Sequence, residues 1–176
     1  MKRQGHRHTA KYVAPQTAEQ YFAMSAHAQD EWNRIVQAIS KMESGRVSLP
    51  EASREFGLDP RRVARLGSSA LRKRANGRYA AKSGHRLLRV LVLPTPNGLR
   101  EVAVRDPKEA SLIGQYWAAV QKYLETGDAS ALHKIRRKTI TDADGKRIRL
   151  IKDLAELDRL GSAGVLSFET VYAKAA

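Results

Sequence analysis

Between Arg61 and Arg100 the chain carries 11 Lys and Arg side chains and no Asp or Glu. Within the block no cation has an acid beside it, and only its ends adjoin one, Asp59 before Arg61 and Glu101 after Arg100. The charges must therefore spread over a surface, while the apolar residues between them supply the core. Elsewhere the balance is nearly even: residues 1–60 hold 8 basic and 7 acidic side chains, and residues 101–176 hold 13 and 11. The formal net charge of +14 thus comes mostly from one segment. That concentration favours a surface for a polyanion over general solubility.

The remaining composition narrows the field. With 176 residues, 42% of them hydrophobic, the chain is long enough for one packed domain or two small ones. It has no cysteine, which excludes disulfides and thiolate metal sites. No apolar run approaches the ~20 residues of a membrane span. The start, MKRQGHRHTAKYVAP, is basic but has no apolar segment after it, so it does not read as a secretory signal. These features lead us to expect a cytoplasmic, nucleoid-associated protein without a membrane partner.

Capping signals divide the chain. Thr17 with Gln20 opens a helix whose apolar face, Trp32, Ile35, Val36, Ile39 and Met42, is expected to run on to Gly45. Ser48 with Glu51, and Pro50 in the first turn, open a short second helix that turns Ala52 and Phe56 inward and stops at Gly57. Asp59 and Pro60 open a third. Turn signals at Asn76-Gly77 and Ser83-Gly84 predict a domain boundary.

Beyond it, RLLRVLVL and LREVAVRD around PTPNG read as a hairpin, and KTITDADGKRIRLI as a second with Asp144-Gly145 at its turn. Between them Asp106-Pro107 starts a helix with the face Ala110, Ile113, Tyr116, Trp117, Val120 and Leu124, closed by Gly127. Asp128 caps a short helix around Ala131 to Ile135, and Asp153 another that runs to Leu160. In the tail, Val165, Leu166, Phe168 and Tyr172 are expected to pack back onto the core. The expected fold class is α+β: a basic arm (1–15), a helical unit (16–82) and a small α+β unit with two β-hairpins and packed helices (83–176).

The stretch SLPEASREFGLDPRRVARLGSS resembles the helix-turn-helix of DNA-binding regulators, transposases and sigma-like modules. Ser53 stands at the small position where the helices cross, where alanine is commoner, and Gly57 at the turn. Phe56, Leu58, Val63 and Leu66 form the locking apolar set, and Ala52 adds a second small side chain. The resemblance covers about 22 residues, and Gly67-Ser68-Ser69 marks where the second helix is expected to stop. It implies a helix placed in the major groove, with side chains near its N-terminus reading base edges.

With Val63 and Leu66 inward, Arg61, Arg62 and Arg65 are expected to face outward and read bases, since arginine can donate two hydrogen bonds to guanine. Ser68, Ser69, Arg72, Lys73, Arg74, Arg78 and Lys82 suit the phosphate backbone, where charge and position matter but base identity does not.

A second basic focus comprises His133, Lys134, Arg136, Arg137 and Lys138 with Lys146, Arg147 and Arg149. It reads equally as a grip on phosphates or as a charged hairpin edge. His6 and His8 lack a third ligand nearby, and Asp142, Asp144 and Gly145 lack the later Glu of a calcium loop, so neither set is read as a metal site. Tyr116, Trp117 and Tyr123 lie at helical spacing and are assigned to the core, while Tyr79, inside the basic block, is the better base-stacking candidate.

No phosphate loop, cysteine nucleophile or compact His-Glu pattern is present, and the acid-free block alone cannot hold a nuclease metal. The expectation is a non-enzymatic protein with no cofactor and no metal. It would bind double-stranded DNA as a transcription regulator or as an accessory factor of a phage, plasmid or transposon. The alternatives are an RNA- or ribosome-associated protein and a non-specific nucleoid protein. The unit from 83 onward is left with backbone grip, a protein partner or homo-oligomer formation.

Overall fold

The computed structural model describes residues 12–164 and 166. Most of the basic arm, with His6 and His8, and the tail positions Val165, Phe168 and Tyr172 lie outside the described residues. The fold is α+β. Its elements run α1 (Ala18–Phe22), α2 (Ala26–Ser44), α3 (Leu49–Glu55), α4 (Pro60–Leu66), β1 (Leu71–Lys73), β2 (Tyr79–Ala81), β3 (Arg89–Thr95), β4 (Gly98–Val104), α5 (Pro107–Thr126), α6 (Ser130–Lys134), β5 (Thr139–Thr141), β6 (Arg147–Arg149) and α7 (Leu154–Ser162). Each sheet among the described residues is one antiparallel pair: β1–β2, β3–β4 and β5–β6.

Two expectations need correction. The helix expected from Thr17 to Gly45 is two helices. Thr17 Oγ1 does accept from Gln20 N at 3.2 Å, but the chain leaves the helix after Phe22. Ser25 then caps a fresh start, its Oγ accepting from Ala28 N at 3.3 Å. Gln29 adds a side-chain donor at the break, its Nε2 donating to Met24 O at 3.3 Å and to Tyr21 O at 3.1 Å, which also accepts from Met24 N. A polar side chain thus supplements the helical donors missing there.

The second correction concerns the unit 16–82, expected to be helical: among the described residues it also carries a hairpin, β1–β2. The two hairpins expected after residue 83 are present as β3–β4 and β5–β6. The Asn76-Gly77 turn signal, expected at a domain boundary, sits at the tip of β1–β2, where Arg74 N donates to Arg78 O at 2.8 Å and Arg78 N to Asn76 Oδ1 at 3.0 Å. Its three-residue strands are too short to show an alternating pattern in sequence.

The core has two parts that share a wall. Trp32, Ile35 and Ile39 of α2 meet Ala52, Val63, Leu66, Leu71, Leu87 and Leu88 in the first. In the second, Ile113, Tyr116 and Val120 of α5 meet Leu132, Ile140, Ile151, Leu157 and Leu166. The hairpin β3–β4 divides them, because directly opposed residues share a face. The pairs Leu91–Val102 and Leu93–Arg100 face the second core, whereas Val90–Ala103 faces the first. Two polar anchors tie distant segments together: Trp32 Nε1 donates to Leu88 O at 2.9 Å, and Tyr116 Oη donates to Ile151 O at 2.7 Å while accepting from Ile151 N at 3.0 Å. Trp117 is only partly buried, and Tyr123 turns its hydroxyl out to Asp158 at 2.9 Å.

Candidate nucleic-acid interface

Helices α3 and α4 flank a turn in which Gly57 takes φ 64°, a left-handed conformation that side chains resist. Leu58 N closes the turn by donating to Ser53 O at 2.8 Å. Asp59 Oδ1 caps α4 by accepting from Arg61 N at 3.0 Å, and Pro60 follows at the first helical position. The turn is bolted to α2 by Arg34, whose Nη1 donates to Phe56 O at 3.0 Å while its Nε holds Asp30 at 2.9 Å. Lys41 on α2 pairs with Glu55 on α3. Ser53 is wholly buried at the crossing, and its hydroxyl has no hydrogen-bond partner. Ser53→Ala removes that orphan without opening a cavity, so it is expected to raise stability by about 1 kcal/mol in urea titrations.

Val63 and Leu66 are buried, which leaves Arg61 and Arg65 exposed one turn apart. Arg62 departs from the expectation that all three arginines face outward. Its guanidinium lies against α2, paired through Nε with Glu31 Oε1 and donating from Nη2 to Glu31 Oε2 at 3.0 Å. It also stacks 5.0 Å from the Tyr12 ring centroid. The reason is electrostatic: Glu31 occupies a core-facing position of α2, its side chain only 12% exposed, and a carboxylate there requires a cation. Burial first, and the Glu31 charge second, push the Tyr12 phenol up to about 12. Glu31, Arg34 and Tyr12 brace α4 and the turn before it, contacts that no expectation from the sequence included. The available signal was an acid within the spacing of an apolar helical face, immediately before Trp32.

Helix α4 ends at Leu66, and Gly67 packs closely against α2. A Cβ there would press on the Ile39 side chain and lie 3.0 Å from Val63 O. The chain then makes a single 3₁₀ turn with Ser68 and Ser69 exposed and enters β1. Arg72, Lys73 and Arg74 accordingly belong to the hairpin and its tip, and not to the helix. Arg72, Lys73, Arg74, Arg78 and Tyr79 are all exposed. Among the described residues none of these cations, nor Arg61 or Arg65, has a carboxylate partner. Lys82 anchors the hairpin base to the 3₁₀ turn, its N donating to Ala70 O at 2.8 Å and its Nζ to Ser69 O at 3.4 Å.

Between this hairpin and β3 lies His85, 4% exposed. Its Nε2 is 2.9 Å from Glu43 Oε2 and its Nδ1 3.1 Å from Arg89 Nη2. The Glu43 carboxylate places a proton on Nε2, while Arg89 Nη2 sits within 3.1 to 3.3 Å of both ring nitrogens. Burial, then the Arg89 charge, lowers the His85 pKa against the opposing pull of Glu43. Below about 6.5 the unfolded chain takes up a proton that the folded His85 resists, so its contribution to stability falls as pH drops through that range. Urea midpoints should decline from pH 7 to pH 5 in the parent and decline less in His85→Gln.

Within the second basic focus two arginines are taken up by carboxylates. Arg137 makes a bidentate pair with Glu109 at 2.6 and 3.1 Å, and Glu109 Oε2 also accepts from Thr141 N at 2.9 Å. This arginine therefore joins the start of β5 to α5. His133, Lys134, Arg136 and Lys138 are exposed around it. Arg147 and Arg149 lie on β6, the opposite strand of the same hairpin, with Lys146 just before it, and Arg149 Nη2 reaches Glu156 at 3.3 Å. Asp142 serves the turn, its Oδ1 accepting from Asp144 N and Lys146 N. Among the described residues no three His, Asp or Glu side chains gather to hold a metal ion, and no helix is long and apolar enough to cross a membrane.

Compared with protein-family models, curated proteins and solved structures, the chain matches none of them.

Proposed function

We propose that the protein binds double-stranded DNA, with α4 in the major groove and the β1–β2 hairpin on the adjoining backbone. The observation that carries this reading is a run of exposed cations that make no ion pair among the described residues. Arg61 and Arg65 on α4 are followed along the chain by exposed Ser68 and Ser69 and then by Arg72, Lys73, Arg74 and Arg78. None of these cations makes an ion pair among the described residues, and Glu51 lines a groove shared with Arg74 and Arg78. Charges left unpaired in this way are available to phosphates, and their binding releases counterions. Arg61 and Arg65 are the base-reading pair. Arg62 positions the helix through Glu31. The hairpin cations and Lys82 supply backbone contact.

In this reading the protein is a site-binding transcription regulator or an accessory factor of a mobile element. Selection from a random duplex pool at near-physiological salt, with RNA competitor present, tests it. Enrichment of one motif is the expected result. Retention without enrichment would reduce the protein to a non-specific nucleoid binder, and loss to the competitor would transfer the surface to RNA.

A further inference from the structure

A second basic surface lies apart from α4. The tips of β3–β4 and β5–β6 enclose a groove of about 460 Å³ lined by Thr95, Asn97, Arg100, Lys146, Arg147 and Arg149 among others. Four cations from two hairpins converge there, and no Asp or Glu lines it. Arg100 is exposed near the hairpin tip, directly opposite Leu93 and two residues before buried Val102. Arg147 and Arg149 flank buried Ile148, so they lie on one side of β6. Two residues of strand separate them by about 6.7 Å, a step comparable with that between neighbouring phosphates on a nucleic-acid strand. Glu156 holds Arg149 in place from α7, while among the described residues Arg100, Lys146 and Arg147 have no carboxylate partner.

We infer that this groove is a second phosphate-backbone site, built by the two hairpins to grip duplex DNA independently of sequence. The inference goes beyond the assignment of α4 and stands on separate residues. Converging cations from independent elements give the backbone two points of attachment on one chain, and their contribution is salt-dependent and indifferent to base identity.

The test is the slope of log Kobs against log salt for a duplex of about three helical turns. It is measured on the full chain, on Arg100→Ser/Lys146→Ser/Arg147→Ser, on Arg61→Ala/Arg65→Ala, and on the conservative Arg100→Lys/Arg147→Lys. The serine variant is expected to lower the slope by roughly two to three and to weaken all duplexes alike, the lysine variant to keep the parent slope. An unchanged slope in a serine variant with parental thermal unfolding overturns the groove. So does a loss of slope seen only with single-stranded RNA of equal length. The α4 variant separates the two readings: if it alone leaves base preference untouched while the serine variant lowers the slope, the α4 assignment fails and the groove stands.

Discussion

Trp32→Ala is expected to lose about 4–8 kcal/mol of folding stability. Truncating a buried tryptophan costs about 3–5 kcal/mol in lost contacts and residual cavity. Trp32 is fully buried beside Ile35 and Ile39, and it is also the donor to Leu88 O. Removing it strands a buried carbonyl, which adds about 1–3 kcal/mol. Domains are stable by only about 5–15 kcal/mol, so the variant sits at the edge of folding. Urea unfolding followed by far-UV circular dichroism reads the loss. Trp32→Phe keeps most of the packing and isolates the carbonyl, with an expected loss of about 1–3 kcal/mol. A parental midpoint in both variants would mean that α2 is not tied to the chain before β3 through this side chain.

Arg61→Ala and Arg65→Ala are expected to cost about 1–3 kcal/mol each in discrimination between the selected duplex and a scrambled one. Binding to scrambled duplex should fall less, because the β1–β2 cations remain. Arg62→Ala should behave differently. It removes the cation from Glu31 and the stack on Tyr12, so its first effect is on stability, about 1–3 kcal/mol, with specificity lost only as α4 loosens. Competition binding with the two duplexes, paired with thermal unfolding of each variant, separates the roles. If Arg62→Ala relaxed specificity at full stability, Arg62 would be a base reader that leaves Glu31 on contact with DNA.

Much of the architecture was legible from local chemistry. Asp59, Asp106 and Asp153 cap their helices, and the Asp144-Gly145 turn folds β5 onto β6, because each of those signals acts within a few residues. The break at Ser25 was less legible, since a capping serine competes with an apolar pattern that continues through it. The β1–β2 hairpin was hidden because three-residue strands carry no periodicity and their basic residues read as easily as a continued helix.

The candidate surface divides in the same way. The sequence by itself determined that residues 61–100 hold cations without acids, and that burying Val63 and Leu66 leaves Arg61 and Arg65 outside. Only the tertiary structure decided that Arg62 turns to Glu31, 31 positions earlier. It also decided that Arg100 joins Arg147 across two hairpins and that β3–β4 serves both cores. The physical reason is range. Caps, turns and charge counts are settled by neighbours along the chain, whereas the partner of a charge is settled by which distant segments the packing brings within hydrogen-bonding reach.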